Sequence, residues 1–317
     1  MNNMIYACKA KDLNIRMSST SGGFFYYLAQ FIIEQGGVVA GAAYMDDFSV
    51  RHIIIERLED ICKLQKSKYV RSDLTGCFQK IKEILDTGRL VLFTGTPCQC
   101  AGLKKYVKNV YSHLICMDFI CAGVCRPKIY KKYLEWLESK YHSSIVSIEF
   151  KCKEKGWHEL GTKVVFSNGK RYFRSAHADP YMSAFIGSGL SVQQGCYQCH
   201  YRSPTHDTDF TVGDCWGIDK IDKTFDDNKG VSVVIIHSDR GNQTFRKLSD
   251  YFELIELNLE QVEIGNPTLL KPLKSSINWK IFEQELSEGK NFQKTVIKYG
   301  RLKWRSILKE NIINFFR

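Results

Sequence analysis

Residues 90–106 read LVLFTGTPCQCAGLKKY. A short apolar run ends in a Gly-Thr-Pro turn, and Pro97 stands where a helix takes its first residue, since its missing N–H is one that no helix start can pair. The stretch is therefore strand, tight turn and helix, with Cys98 at the helix N-terminus and Cys100 behind it. The same design recurs on both sides. SGGFFYYLAQFIIEQGGVVAGAAY (21–44) gives a Gly-bearing loop, an apolar helix from about Phe24 to Glu34, a stop at Gly36-Gly37 and a strand from Val38. HIIIERL (52–58) is a strand, LTGCFQKIKEILDTG (74–88) a helix closed by Gly88, and HLICMDFICAG (113–123) a strand ending in a small-residue turn before the helix PKIYKKYLEWLESKY (127–141).

Strand, turn and helix in alternation imply a parallel α/β sheet. From residue 144 the pattern changes. SIVSIEFKCKEKGWHEL, TKVVFSNGKRYF and the later VSVVIIH (231–237) are strand-rich, and Asn168-Gly169 between two β-type runs is a hairpin signal. The fold class expected is mixed α/β, a parallel α/β portion joined to an antiparallel strand-rich portion.

The 317 residues include 45 Lys and Arg against 34 Asp and Glu, a net charge of +11. Some of this excess lies in KYGRLKWRSILKENIINFFR (298–317), where Trp304, Leu308, Ile312 and Phe316 recur every fourth residue. A basic amphipathic helix docks on its own domain or lies on an anionic membrane surface. No zinc-finger spacing, helix-turn-helix or RNA-recognition pattern accompanies the charge, so no nucleic-acid partner is expected. The N-terminus lacks a signal-peptide pattern, and no run reaches the roughly 18–20 apolar residues that span a bilayer. The expected location is the cytoplasm, with peripheral contact at the inner face of the membrane through 298–317 as a further reading.

Twelve cysteines in a reducing compartment point to metal ligation or redox chemistry rather than to a disulfide framework. Ligand sites in parallel sheets form at the carboxyl ends of the strands, and Cys98 and Cys121 each follow such an end. The amides and dipole at a helix start also favour a thiolate at Cys98. Cys196 and Cys199 form a CxxC in GCYQCHYRSPTHDTDFTVGDCWGID (195–219). The four together suit a structural zinc or an iron-sulfur cubane. Cys100 and Cys125 are alternatives to their neighbours, and His200 and His206 are stand-ins for a thiol. Cys8, Cys62, Cys77, Cys116, Cys152 and Cys215 read as packing residues. Two Gly-bearing loops before helices, around Ser21, Gly22 and Gly23 and around Thr94, Gly95 and Thr96, are suited to capping the phosphate of a cofactor. Ser21 reads equally well as a helix N-cap. Lys68, Tyr69 and Arg71 form a positive and aromatic patch.

Taken together, SSTSGGFF, GGVVAGAAY, KSKYVRSDL, LFTGTPCQCAGLKKY, MDFICAGVCRPKIYKKYL, DPYMSAFI and CYQCHYRSPTHDTDFTVGDCWGI resemble the coenzyme F420 hydrogenase/dehydrogenase beta-subunit family over about residues 5–240. The resemblance implies a flavoprotein, usually with FAD, holding a [4Fe-4S] cluster on Cys98, Cys121, Cys196 and Cys199. It places the flavin near Ser21, Gly22, Gly23, Lys68, Tyr69, Thr94, Gly95 and Thr96. Relatives exchange hydride with coenzyme F420 or reduce chlorophyll intermediates, and many bacterial ones are encoded among surface-polysaccharide genes, which implies a small-molecule or sugar-linked substrate. Many bacterial relatives also carry a ferredoxin-like domain ahead of the flavin-type domain. This sequence starts at the latter, so the resemblance implies a separate electron donor such as ferredoxin. Ala122 stands where relatives commonly have His, and GVCRPK where they often have GVPSPK, which keeps Cys125 open as a ligand.

The divisions expected are 1–86 (α/β, flavin-type), 87–240 (iron-sulfur and flavin) and 241–317 (ending in the basic tail). His177, Asp179, His206 and Asp214 are candidate acids by proximity to the matched segments. The alternative from another class is a non-catalytic, zinc-stapled assembly protein of a polysaccharide enzyme complex.

Overall fold

The structure is a computed structural model that describes residues 4–308. The chain forms two compact units, each built from separated stretches. The first takes the residues up to Lys66, Ser72–Cys121 and His200–Lys271; the second takes Ser67–Arg71, Ala122–Cys199 and the chain from Pro272.

The first unit is a mixed sheet of β1 (Met4–Ala10), β2 (Val38–Tyr44), β3 (Val50–Ile55), β4 (Val91–Gly95), β5 (Leu114–Phe119), β9 (Phe210–Asp214), β10 (Ser232–Ile236) and β11 (Phe252–Leu257). Among the described residues their order is β11-β1-β10-β9-β5-β4-β2-β3. The pairs β2–β4, β4–β5 and β5–β9 are parallel, and the flanking pairs are antiparallel. The mixed α/β class expected from the sequence is what the chain adopts. The run at 231–237 is antiparallel to both of its neighbours, as expected, and enters this large sheet as β10 between β1 and β9. Every residue of SVVII is buried, so it needs a partner on each edge and cover on both faces, which a small exposed sheet does not offer.

Alternation along the strands sorts the core into two layers. Leu92 of β4 with Ile115 and Met117 of β5 packs against Phe24, Leu28 and Ile32 of α1 (Phe24–Glu34). Val91 and Phe93 with Leu114 and Cys116 pack against Ile81 and Leu85 of α2 (Cys77–Asp86) and against Cys100, Leu103 and Val107 of α3 (Pro97–Val107). Each fully buried Leu or Phe contributes about 1.5–3 kcal/mol. With helices on both faces, the strands read as unbroken apolar runs.

The second unit carries the antiparallel sheet β6 (Ile145–Cys152), β7 (Gly161–Phe166) and β8 (Arg171–Ser175), with Gly169 at φ 78° in the hairpin turn. Helix α4 (Pro127–Tyr141) brings in Tyr133, whose hydroxyl donates to Asp179 Oδ2 at 2.7 Å, as does that of Tyr172. Asp179 also caps the following turn through Met182 N at 2.8 Å, so this fully buried carboxylate ties helix, sheet and turn together. Toward the end of the chain, Leu302 and Ile307 are the docked side chains, whereas Trp304 and Leu308 are 52% and 55% exposed. Residues 309–317, with Ile312 and Phe316, lie outside the described residues. Among the described residues, no helix is long and apolar enough to cross a membrane.

The Ser21-Gly22-Gly23 loop fastens β1 to β10. Ala10 N donates to Gly22 O at 2.8 Å and Gly22 N to Ser232 Oγ at 2.8 Å. A Cβ at Gly22 would overlap the Cys8 carbonyl and stand 2.6 Å from Ser232 N. Gly22→Ala is therefore expected to lower unfolding stability by about 3 kcal/mol in urea titration. Gly102→Ala, in a helix with only ordinary contact to Phe78 at 3.5 Å, is expected to raise it by about 0.5–1 kcal/mol. A neutral result at Gly22 would contradict the packing described.

Candidate functional site

Three loops of the first unit meet the sheet at one end. In the β4–β5 ladder Gly95 pairs with Asp118, and Cys98 and Cys121 each lie three residues past that pair. β10 runs antiparallel to β9, with Ser232 opposite Asp214 at the carboxyl end of β9, so the Ser21-Gly22 loop bound to Ser232 arrives at the same end. The sheet thus gathers Ser21, Gly22, Gly23, Thr94, Gly95, Thr96, Cys98 and Cys121. Lys68, Tyr69, Cys196 and Cys199 belong to the second unit.

Local chemistry fixes each loop. Thr96 caps α3 with a full capping box, Gln99 Oε1 receiving Thr96 N at 2.9 Å. Gln99 Nε2 donates in turn to Ser72 Oγ at 2.9 Å. Cys98 is exposed on the first turn of the helix, with its Sγ 3.1 Å from Thr96 Oγ1. The carbonyl of Thr94 accepts from His52 Nε2 at 3.0 Å. Arg202 donates to the Cys121 carbonyl at 2.5 Å and also holds the Thr268 carbonyl. Ser21 Oγ donates to Val231 O at 2.5 Å, so the hydroxyl read as a helix cap serves instead to bind the loop to β10.

In the second unit the Tyr69 carbonyl accepts from Tyr181 at 2.6 Å, and the Tyr69 ring lies 5.4 Å from Phe185 and 5.5 Å from Phe150. Burial pushes the Lys68 ammonium down to about 7, so its charge depends on what lies beside it near neutral pH. Gly123, at φ 119° and two residues beyond Cys121, lies so close to Cys196 that an added Cβ would be 3.3 Å from Cys196 Cβ.

The twelve cysteines fall into two groups. Cys8, Cys77, Cys100, Cys116, Cys125, Cys152 and Cys215 are buried, and desolvation raises every one of their thiol pKa values, to about 12 for Cys116, Cys125 and Cys215. Cys125 Sγ is 3.1 Å from Ser191 Oγ, and Cys100 Sγ points at the Met117 carbonyl at 3.8 Å. Accessible thiols are Cys62, Cys98, Cys121, Cys196 and Cys199. Cys62 Sγ closes a turn on the Glu59 carbonyl at 3.2 Å. The other four are the set suited in donor chemistry to a thiolate-bound centre, since only a thiolate ligates metal and burial in apolar surroundings opposes its formation. Among the described residues, no group of three or more His, Cys, Asp or Glu is closed up as a metal site.

Of the candidate acids, Asp179 is locked in the tyrosine knot, His177 is exposed, and Asp214 is buried with its carbonyl taken by Asn266 at 2.9 Å. His206 lies in a buried cluster with Asp118, Thr211 and His237, three residues that sequence reasoning missed. The available signal was a lone carboxylate inside the apolar run LICMDF, and its pairing with Thr211 across the sheet comes only with the structure. Burial raises the pKa of Asp118, against hydrogen bonds from His206, Thr211 and Thr208. Burial, then repulsion by His206, pulls His237 down to about 4, opposed by Asp209.

The sign for His237 follows from linkage. The unfolded chain binds a proton below about 6.5 and the folded one only near 4, so this stability is whole above pH 6.5 and lost as pH falls toward 4. Unfolding titrations are expected to lose about 2 kcal/mol between pH 6.5 and 5, above the main carboxylate range, and His237→Gln to flatten that slope. Equal slopes would show that His237 is not held neutral.

The sequence matches no curated protein. Among solved structures, a chain in the F420-reducing [NiFe] hydrogenase complex from Methanosarcina barkeri shares the fold, with TM-score 0.54 and 17% identity over 94% of this chain and 93% of that chain. Residues 88–260 match the family model for the C terminus of the coenzyme F420 hydrogenase/dehydrogenase beta subunit, a match that takes in more than half of the chain and includes both sheet-end cysteine loops and the CxxC. The chain belongs to the coenzyme F420 hydrogenase/dehydrogenase beta-subunit family of redox proteins.

Proposed function

We propose that this chain is an iron-sulfur flavoprotein oxidoreductase that passes electrons between a low-potential carrier and an organic substrate. The observation that carries the reading is the division of the cysteines: Cys98, Cys121, Cys196 and Cys199, which the family pattern makes ligands, are all among the five accessible thiols, and the fifth, Cys62, closes a turn on the Glu59 carbonyl. These four would hold a [4Fe-4S] cluster. The residues assigned to FAD are Ser21, Gly22, Gly23, Lys68, Tyr69, Thr94, Gly95 and Thr96. A flavin beside a cluster supplies conversion between one-electron and two-electron chemistry, while the protein binds, orients and tunes. Lys68 is suited to an anionic group, because a nearby negative charge raises its affinity for a proton that burial has weakened. Ferredoxin is the proposed donor class, coenzyme F420 an exchangeable carrier, and a sugar-linked intermediate of surface-polysaccharide synthesis the proposed substrate class.

Anaerobically purified protein is expected to be brown-yellow, with about four irons per chain and a flavin. Single Ser replacements of Cys98, Cys121, Cys196 or Cys199 should abolish or strongly alter the paramagnetic signal of the reduced protein. Cys8, Cys100, Cys125 and Cys152 to Ser should leave it in place. Colourless protein with about one zinc per chain would replace this reading with the zinc-stapled assembly protein.

The exposure of Trp304 and Leu308, flanked by Lys303 and Arg305, favours a second property, contact with anionic lipid at the inner face of the membrane. Deleting residues 298–317 is expected to reduce co-sedimentation with anionic vesicles at low salt while cofactor content stays constant. The difference should shrink at physiological salt, where the Debye length is about 8 Å. Equal sedimentation by both proteins would reduce the segment to a docked helix.

A further inference from the structure

Asp118 is fully buried in β5, on the face covered by α3, two residues from Cys116 in the layer shared with Cys100 and Leu103. An isolated carboxylate there would be strongly disfavoured, and three groups satisfy it. Oδ1 accepts from Thr211 Oγ1 at 2.5 Å, and Oδ2 accepts from His206 Nδ1 at 2.8 Å and from Thr208 Oγ1 at 3.4 Å. Thr211 Oγ1 is also 2.8 Å from His237 Nε2 and 2.9 Å from His206 Nδ1. A hydroxyl has one proton. Given to Asp118, it leaves Thr211 Oγ1 to accept from His237 Nε2–H, which fixes both histidine tautomers. The open ends are His206 Nε2 and His237 Nδ1, both buried and without a hydrogen-bond partner among the described residues. The His206 side chain is only 7% exposed.

The charged groups around this cluster cancel. Arg240 Nη2 meets both oxygens of Asp209 at 2.8 Å, Lys104 on α3 pairs with Asp207 at 2.5 Å, and the facing thiol of Cys100 stays protonated through burial. With both histidines neutral, the cluster holds one uncompensated negative charge; one added proton makes it neutral.

We propose that Asp118, His206, Thr211 and His237 form a relay carrying one exchangeable proton, held on His206 against Asp118, and that this proton is taken up when the redox centre of the proposed function is reduced. The second half rests on that reading. The balance is one electron from the ferredoxin-class donor to the centre and one proton from solvent to His206 Nε2, with no other bond made or broken. Proximity supplies the coupling. Asp118 is the ladder partner of Gly95 and lies three residues before Cys121, about 10 Å of extended chain. At that distance and an effective dielectric of about 20, a unit charge changes a proton affinity by about tenfold.

Long-range proton–nitrogen spectra of the protein labelled with nitrogen-15 histidine test the relay directly. His206 is expected as the Nδ1–H tautomer when neutral and His237 as Nε2–H. Asp118→Asn, which removes the carboxylate that His206 Nδ1–H donates to, should shift the His206 ring-nitrogen signals. Thr211→Val, close in shape and suited to a strand, should release the His237 tautomer, and Thr211→Ser should keep it. Histidine spectra unchanged by Asp118→Asn and by Thr211→Val would overturn the relay. In the cofactor-loaded protein the midpoint potential should fall with rising pH, by at most about 59 mV per tenfold change in proton concentration for one electron and one proton, and His206→Gln should remove that slope. Identical slopes in wild type and His206→Gln would overturn the coupling. A protein that binds no redox centre would remove the proposed function and the coupling with it, and the histidine spectra would then decide the relay alone.

Discussion

The ladder between β5 and β9 pairs Met117 with Phe210, Asp118 with Thr211 and Phe119 with Val212, and it joins positions 93 residues apart in the chain. Closing so long a loop costs only slightly more than closing a short one, because the entropy grows with the logarithm of loop length. The stretch Ala122–Cys199 therefore folds as part of the second unit while the chain returns to complete the first. Without β9, the parallel strands β4 and β5 would end in an open edge, and β10, buried along its whole length, would lose a partner. The same pairing brings the Gly-Thr-Pro loop, Cys121 and the Ser-Gly-Gly loop to one end of the sheet.

Two buried aspartates lie beside that ladder and differ in their partners. Asp209 accepts from Cys116 N at 2.8 Å, from Ser238 Oγ at 2.5 Å and from Arg240 in a bidentate pair. A guanidinium does not deprotonate in a protein, so this is a permanent clasp between β5, the start of β9 and the segment after β10. Asp118, in the same polar layer, is paired with an imidazole, the side chain whose charge changes most readily near neutral pH. One carboxylate fixes the strands, and the other is placed to respond to protons.

Thiol chemistry follows the same rule of burial. Seven cysteines are buried where the thiolate is disfavoured and act as small packing side chains, Cys8, Cys77, Cys100, Cys116 and Cys152 in strands and helices and Cys125 and Cys215 outside them. The accessible ones are found where the chain turns: past a strand end, at a helix start, or in the short helical turn of the CxxC. Thiols suited to ligation and thiols suited to packing are thus separated by burial, even within one helix, where Cys98 is exposed on the first turn and Cys100 is buried.

Much of this was written locally. Pro97 after Gly-Thr, the Gly36-Gly37 stop and Asn168-Gly169 set element boundaries through backbone constraints that act within a few residues, so α1, α3, α4 and the β7–β8 hairpin lie where the sequence puts them. The accessible cysteines at strand ends were legible for the same reason. Partners across the sheet were not. SVVII carries no mark that says which sheet it enters, and the Ser21 hydroxyl reads as a helix cap until Val231 stands opposite it. Asp118, Thr211 and His237 look like isolated polar residues in apolar strands, because the proton chemistry they share exists only once strands distant in sequence are hydrogen-bonded side by side. Propensity and turn chemistry depend on neighbours in sequence, whereas charge burial and hydrogen-bond pairing depend on neighbours in space, and only the tertiary structure supplies those.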